Sequence, residues 1–228
     1  MSNKYSNFLT ILLILIIIAI VGIIGFLGFK YYETHIAKTE AEDFVDSFNN
    51  QNVDNNTSVL PKEDVEVEFE GVDENTNTNT EPNNPSSGNN NQQKFNNFLV
   101  AGTIEIPATK LSCPIIDQSE YSPKALETSV VVIYGAGLNK VGNTTISGHN
   151  YRNGTFFSNN KKLKVGDKIY ITDLNGKRLT YTIYDKFEVE ENEADYMVRD
   201  TQGAIEISLS TCTDDSKARL IILARADV

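Results

Sequence analysis

Residues 8 to 29 carry no charged side chain and are built almost wholly from Leu, Ile, Val and Phe. As a helix this run is about 33 Å long, enough to cross a hydrocarbon core about 30 Å thick. A cleaved signal peptide has a shorter apolar core that closes on a small-residue site. Here the apolar character continues through Phe26, Leu27 and Phe29, so a retained anchor with a short tail is expected over residues 1–37. Lys4 on one flank faces Lys30 and Lys38 on the other, so positive charge does not fix the orientation.

Residues 38–96 are rich in Asn, Glu, Asp, Thr and Ser, with little aliphatic clustering beyond residues 65–69. Such a stretch buries too little apolar surface to offset its ordering entropy and reads as a flexible linker. As a coil it would hold its ends on the order of 40 Å apart. Its first part, residues 31 to 48, is also compatible with continued helix. The net charge of −11, much of it in this linker, argues against nucleic acid as a partner and against docking on an anionic lipid surface.

From residue 97 to the end the pattern changes to short apolar runs separated by turn residues. Strands are expected near residues 98–106, 111–117, 129–134, 144–149, 168–173, 178–189, 204–209 and 219–224. Eight strands in one domain of this length suggest a closed, mainly β barrel. Asn175-Gly176 between two of them is a hairpin signal. Short helices are expected at residues 123–128 and 156–163, and the last strand should be buried on much of both faces.

Two cysteines and two histidines limit the chemistry. Cys113, followed by Pro114 and two isoleucines, reads as small buried filler. It could pair with Cys212 only if the fold brought the two together. The segment Ser208-Leu209-Ser210-Thr211-Cys212 lies near the end of an apolar strand, and Arg219 follows shortly after. His35 adjoins the apolar run, which leaves His149 as the imidazole of the outer domain. A free thiol is mostly protonated at neutral pH, so a nucleophilic cysteine needs a base or a cation beside it. Cys212 as nucleophile, His149 as acid and base, and Arg219 as stabiliser of an oxyanion would suffice for acyl transfer through a thioester. Ser210, Thr211 and Asn150, next to these residues, are candidates for holding substrate. Each has a plainer reading: Cys212 as core filler, His149 as a surface residue, Arg219 as the partner of Asp214 or Asp215 in an ion pair.

At these residues the sequence resembles the sortases, membrane-anchored cysteine transpeptidases of Gram-positive bacteria. That family's Thr-Leu-x-Thr-Cys signature is matched by Leu209, Thr211 and Cys212, with Ser208 replacing the first threonine. Gly148-His149-Asn150 is similar to the family's histidine-bearing strand end, and Arg219 to the arginine that opens the following strand. The resemblance covers residues 97–228 and includes Ile104-Glu105-Ile106-Pro107 and Lys164-Val165-Gly166-Asp167. It implies a sortase-type barrel in which Cys212 cleaves a sorting signal similar to Leu-Pro-x-Thr-Gly. An amine of a cell-wall precursor, or of a pilin-like or other surface protein, would then take the acyl chain. It also implies a single-pass protein of the cell membrane with the catalytic domain outside.

The stretch between residues 187 and 202 is too brief for a long inserted helix, which weakens assignment to class B, and no aromatic-bearing lid precedes the barrel. No cofactor is required by this chemistry. The acids Glu188, Glu190, Glu191, Glu193 and Asp195 form a candidate calcium site, with a solvated loop as the plainer alternative. Two other functions fit the same residues. One is a cysteine peptidase with water as acceptor, and the other is a non-catalytic barrel on a stalk.

Overall fold

The computed structural model describes residues 2–57 and 93–228. Its first element is one long helix, α1 (Ser2–Thr57), which is long and apolar enough in its first half to cross a membrane. Residues 8 to 32 are exposed on every face. Further along, Ala41, Val45 and Phe48 are buried, at the spacing of successive turns on one helical face. That face docks on the barrel, where Phe44 meets the Phe95 ring edge-on at 5.3 Å between centroids. The linker expected from residue 38 is therefore helix as far as Thr57. The few apolar residues that make the docking face are spaced among acids and amides, so the composition concealed them. Residues 58–92, including the cluster at 65–69, lie outside the described residues.

The short strand β1 (Lys94–Phe95) leads into the barrel strands β2 (Phe98–Ile106), β3 (Leu111–Ile116), β4 (Val130–Gly135) and β5 (Gly142–Ser147). β6 (Lys168–Asp173), β7 (Arg178–Glu190), β8 (Ile205–Cys212) and β9 (Ala218–Ala226) complete it. Around the barrel the order is β2-β3-β4-β5-β8-β9-β7-β6, and pairing of β2 with β6 closes the circle. This is the closed eight-stranded barrel expected from the sequence, with β1 as an added edge. Closure leaves no barrel edge unpaired. The seam depends on Gly102, where β2 bulges out of register with β3 while pairing with Asp173 on β6. A Cβ at this position would fall on the carbonyl oxygen of Thr172.

Local chemistry explains the connections. α2 (Pro123–Thr128) starts with Ser122 accepting the Ala125 amide at 3.2 Å and with proline in its first turn. The β6–β7 hairpin closes around Asp173, whose carboxylate accepts the amides of Asn175 (2.9 Å) and Lys177 (3.1 Å). Gly176, but not Asn175, takes positive φ there (75°). Residues Phe156–Lys162 form a tight 3-10 turn, and α3 (Asp195–Val198) is a single turn in the stretch judged too short for a long helix.

The core is aliphatic. Ile104, Ile146, Ile169, Ile171, Ile207 and Ile222 are fully buried, each contributing about 1.5–3 kcal/mol through burial. β9 is buried from Leu220 to Ala224 without a break, as its weak alternation predicted. At the start of β8 the carboxylate of Glu206, 2% exposed, is held by Arg199 (2.7 Å), Arg225 (2.7 Å) and the Tyr184 hydroxyl (2.8 Å). Burial alone would push its pKa up, but these donors outweigh that effect and hold it below the ordinary value. The unfolded chain therefore takes up this proton first. The resulting stability is complete above the usual glutamate range and is lost as pH falls through the depressed native value. Glu206→Gln should cost about 3 kcal/mol at neutral pH, the low end for breaking a buried ion pair. It should also flatten the acid limb of the stability profile, as read from urea midpoints between neutral pH and the onset of acid unfolding.

Candidate active site

Three strands deliver the three candidate residues to one rim. β5 and β8 run parallel, so both end on the same side, and β9 begins there as the antiparallel partner of β8. Cys212 is the last residue of β8, Arg219 is its direct cross-strand partner, and His149 lies two residues past the end of β5. The Arg219 guanidinium donates through Nη1 to the Cys212 sulfur at 3.3 Å. Both side chains are half-buried, open to a ligand without being freely solvated.

The histidine segment is tied to the cysteine strand through its neighbours. The Gly148 amide donates to the Ser210 carbonyl (3.1 Å), and its own carbonyl accepts from the Thr211 hydroxyl (2.7 Å). Asn150 then donates through Nδ2 to the Cys212 carbonyl and to Asp214, each at 3.0 Å. Main-chain and side-chain bonds thus bracket His149 on both sides. Among the described residues no hydrogen bond joins the imidazole to the thiol; the ring instead faces Tyr151 at 4.8 Å between centroids. Gly148 allows this approach, since a Cβ there would crowd Val130 and the fully buried Phe157 ring.

Ser210 and Thr211 do not present free hydroxyls to a substrate. Both are 3% exposed. The Ser210 hydroxyl accepts from Tyr196 (3.2 Å) on α3, and that of Thr211 is committed to Gly148. They hold the rim together, as does the Asn150 amide. A cavity of about 110 Å³ opens beside the thiol, walled by Cys212, Thr211, Asn150, Phe157 and Leu220.

The expected alternatives for Arg219 are also replaced. Asp214 pairs with Lys161, and that ammonium together with the Asn150 amide holds its carboxyl below the usual range. Asp215 accepts the Thr213 hydroxyl and the Lys217 amide. The partner of Arg219 is Glu191, through Nη2. Glu191 belongs to the acidic run read as a candidate calcium site; among the described residues no group of three metal-binding side chains is assembled. Glu191 and Tyr151 are the site residues that sequence reasoning missed, whereas Asp214, expected beside Arg219, meets Lys161 and Asn150 instead. Only the acidic run gave a signal, and it pointed to a different role. Cys113 is buried, its thiol is pushed up to about 12 by loss of solvent, and both cysteines are free.

The fold and the site thus define a closed eight-stranded barrel with cysteine, arginine and histidine on one rim. The family model for the sortase domain matches residues 104–227, and the chain belongs to the sortase family. It is 31% identical over 126 residues to sortase A of Bacillus anthracis, covering 54% of this chain and 58% of that protein. To sortase A of Streptococcus agalactiae serotype III (strain NEM316) it is 30% identical over 144 residues, covering 58% and 54%. The match thus spans less than two thirds of these relatives' own length. Among solved structures, sortase A from Corynebacterium diphtheriae superposes with a TM-score of 0.52 at 27% identity, covering 57% of this chain and 62% of that one. A Clostridium perfringens sortase D5 transpeptidase gives 0.51 at 27% identity, covering 57% and 79%.

Proposed function

We propose that the protein is a membrane-anchored cysteine transpeptidase that cleaves a sorting signal similar to Leu-Pro-x-Thr-Gly. It would transfer the acyl chain to an amine of a cell-wall precursor or surface protein. The observation that carries this reading is the Arg219 guanidinium 3.3 Å from the Cys212 sulfur on the rim that also bears His149. The Cys212 thiolate attacks the threonine carbonyl, and Arg219 faces the oxygen that becomes negative. As the carbon–nitrogen bond breaks, protonated His149 gives its proton to the departing glycine amine, leaving a thioester on Cys212. The acceptor amine loses a proton to His149 as it attacks, and the thiolate departs. The apolar helix and the family support a single-pass protein with its catalytic domain outside the cell.

The test uses the full chain in detergent with a Leu-Pro-x-Thr-Gly peptide and an amine such as triglycine, followed by mass spectrometry. The expected product is the new amide, with a thioester adduct on Cys212. Free acid as the sole product would make the protein a peptidase, and neither adduct nor product would make it a non-catalytic barrel.

Glu191 is exposed, and its pair with Arg219 is worth at most about 1 kcal/mol. Glu191→Gln should therefore lower kcat no more than about five-fold with KM unchanged. Arg219→Ala should lower it about 10²–10³-fold, the usual cost of losing an oxyanion donor. Steady-state kinetics of the two variants side by side gives both numbers.

A further inference from the structure

A second cavity, of about 550 Å³, lies between α1 and the barrel, away from the thiol. Lys30 and Lys38 project into its wall from α1, and Lys110 does so from the turn after β2. The opposite wall is the loop that follows His149, with Tyr151 and Phe156. Among the described residues, Glu127 is the one carboxylate in the lining.

The position of this cavity follows from the helix. Lys30 is the first charged residue after the apolar run, so it marks the depth at which α1 leaves the hydrocarbon. Lys38 is about 12 Å further along the helix, while the headgroup layer is about 5–8 Å thick on each side. The cavity therefore spans that layer and the water just above it. Higher on α1, Asn49 donates to Glu105 (3.1 Å) and Gln51 accepts from Gln93 (3.2 Å), so those barrel segments lie farther from the bilayer. The helix thus turns the loop after His149, and the rim that bears it, towards the membrane.

We propose that this cavity binds the phosphate-bearing headgroup of an anionic phospholipid and so holds the catalytic rim facing the bilayer. The inference rests on the membrane-anchor reading above. Net charge argues against a diffuse attraction to anionic surfaces, but many of the acids lie between Glu63 and Glu81 in the sequence, and none of these is among the residues that line the cavity's described wall. Among the described residues the lining offers the ammonium groups of Lys38 and Lys110 beside that of Lys30, while its carboxylate, Glu127, already faces Lys124. Lys38 meets Glu42 at 3.6 Å across exposed surface, a contact weak enough to exchange for a phosphate. An occupant here would touch Tyr151, whose ring lies against that of His149. Lipid composition would then reach the catalytic rim through one aromatic contact.

The full chain is floated with vesicles of phosphatidylcholine alone and with equal parts phosphatidylglycerol. Lipid retained by the detergent-solubilised chain is then titrated by native mass spectrometry. The expected result is flotation with both vesicles and selective retention of one phosphatidylglycerol, undiminished by millimolar inorganic phosphate. Lys38→Gln/Lys110→Gln should weaken that retention about 30-fold, from about 1 kcal/mol per lysine near a lipid surface. Lys177→Gln, on the β6–β7 hairpin, should leave it unchanged. Both altered lysines of the double variant are surface residues, and its urea midpoint should match that of the parent chain. Failure to float with either vesicle overturns the anchor and this site together. Flotation without preference for phosphatidylglycerol overturns the site alone, as do displacement by phosphate or equal loss in the Lys177 variant.

Discussion

Cys212→Ala is expected to abolish the thioester adduct and to lower peptide cleavage on the order of 10⁵–10⁶-fold, the scale on which removal of a covalent nucleophile acts. The fold should hardly register the change. Cys212 is half-buried at the end of its strand, and its side chain gives up one hydrogen bond, from Arg219. Stability should stay within about 0.5 kcal/mol of the parent chain, as for substitutions away from the core. Intact-mass analysis after incubation with a sorting peptide, beside a urea titration, separates these two statements. An adduct that persists in the variant would place the nucleophile elsewhere. Cys113 offers no replacement, because burial keeps its thiol protonated.

His149→Ala is expected to cost about 10²–10⁴-fold in transpeptidation, the range for general acid–base assistance. A second readout gives the loss its meaning. Alkylation of Cys212 by iodoacetamide expels iodide, which needs no proton, whereas cleavage of a peptide bond requires a proton on the departing amine. The variant should therefore lose far more of its acyl transfer than of its alkylation rate. Equal losses in both would show that His149 acts on the thiol, by ionising it or by shaping the rim, and not as proton donor to the departing amine. The bonds made by Gly148 and Asn150 on either side should keep the neighbouring backbone in place when the ring is removed.

The barrel was legible in the sequence because its strands are short apolar runs bounded by turns, and all eight expected strands are present at close to the expected bounds. Cys212, His149 and Arg219 were legible through local motifs, although their meeting depends on the parallel pairing of β5 and β8, which no local pattern encodes. Ser210 and Thr211 were misplaced for a related reason. A hydroxyl beside a reactive cysteine suggests substrate contact, and only the tertiary partners Tyr196 and Gly148 show that it is already engaged. Along the chain Glu191 is one acid among several, because nothing in the sequence links it to an arginine 28 residues later. The docking face of α1 was obscured because three or four apolar residues among polar ones resemble linker composition as much as an amphipathic helix.

That docking face has a practical consequence for anyone preparing a water-soluble fragment. Cutting the chain just before β1 would uncover Phe95, which Phe44 shields, and would add a greasy spot to the exterior. A fragment beginning near Lys38 would discard the bilayer-crossing half of the helix yet keep Ala41, Phe44, Val45 and Phe48 as a built-in cover. It should remain monodisperse at concentrations where the shorter one clumps.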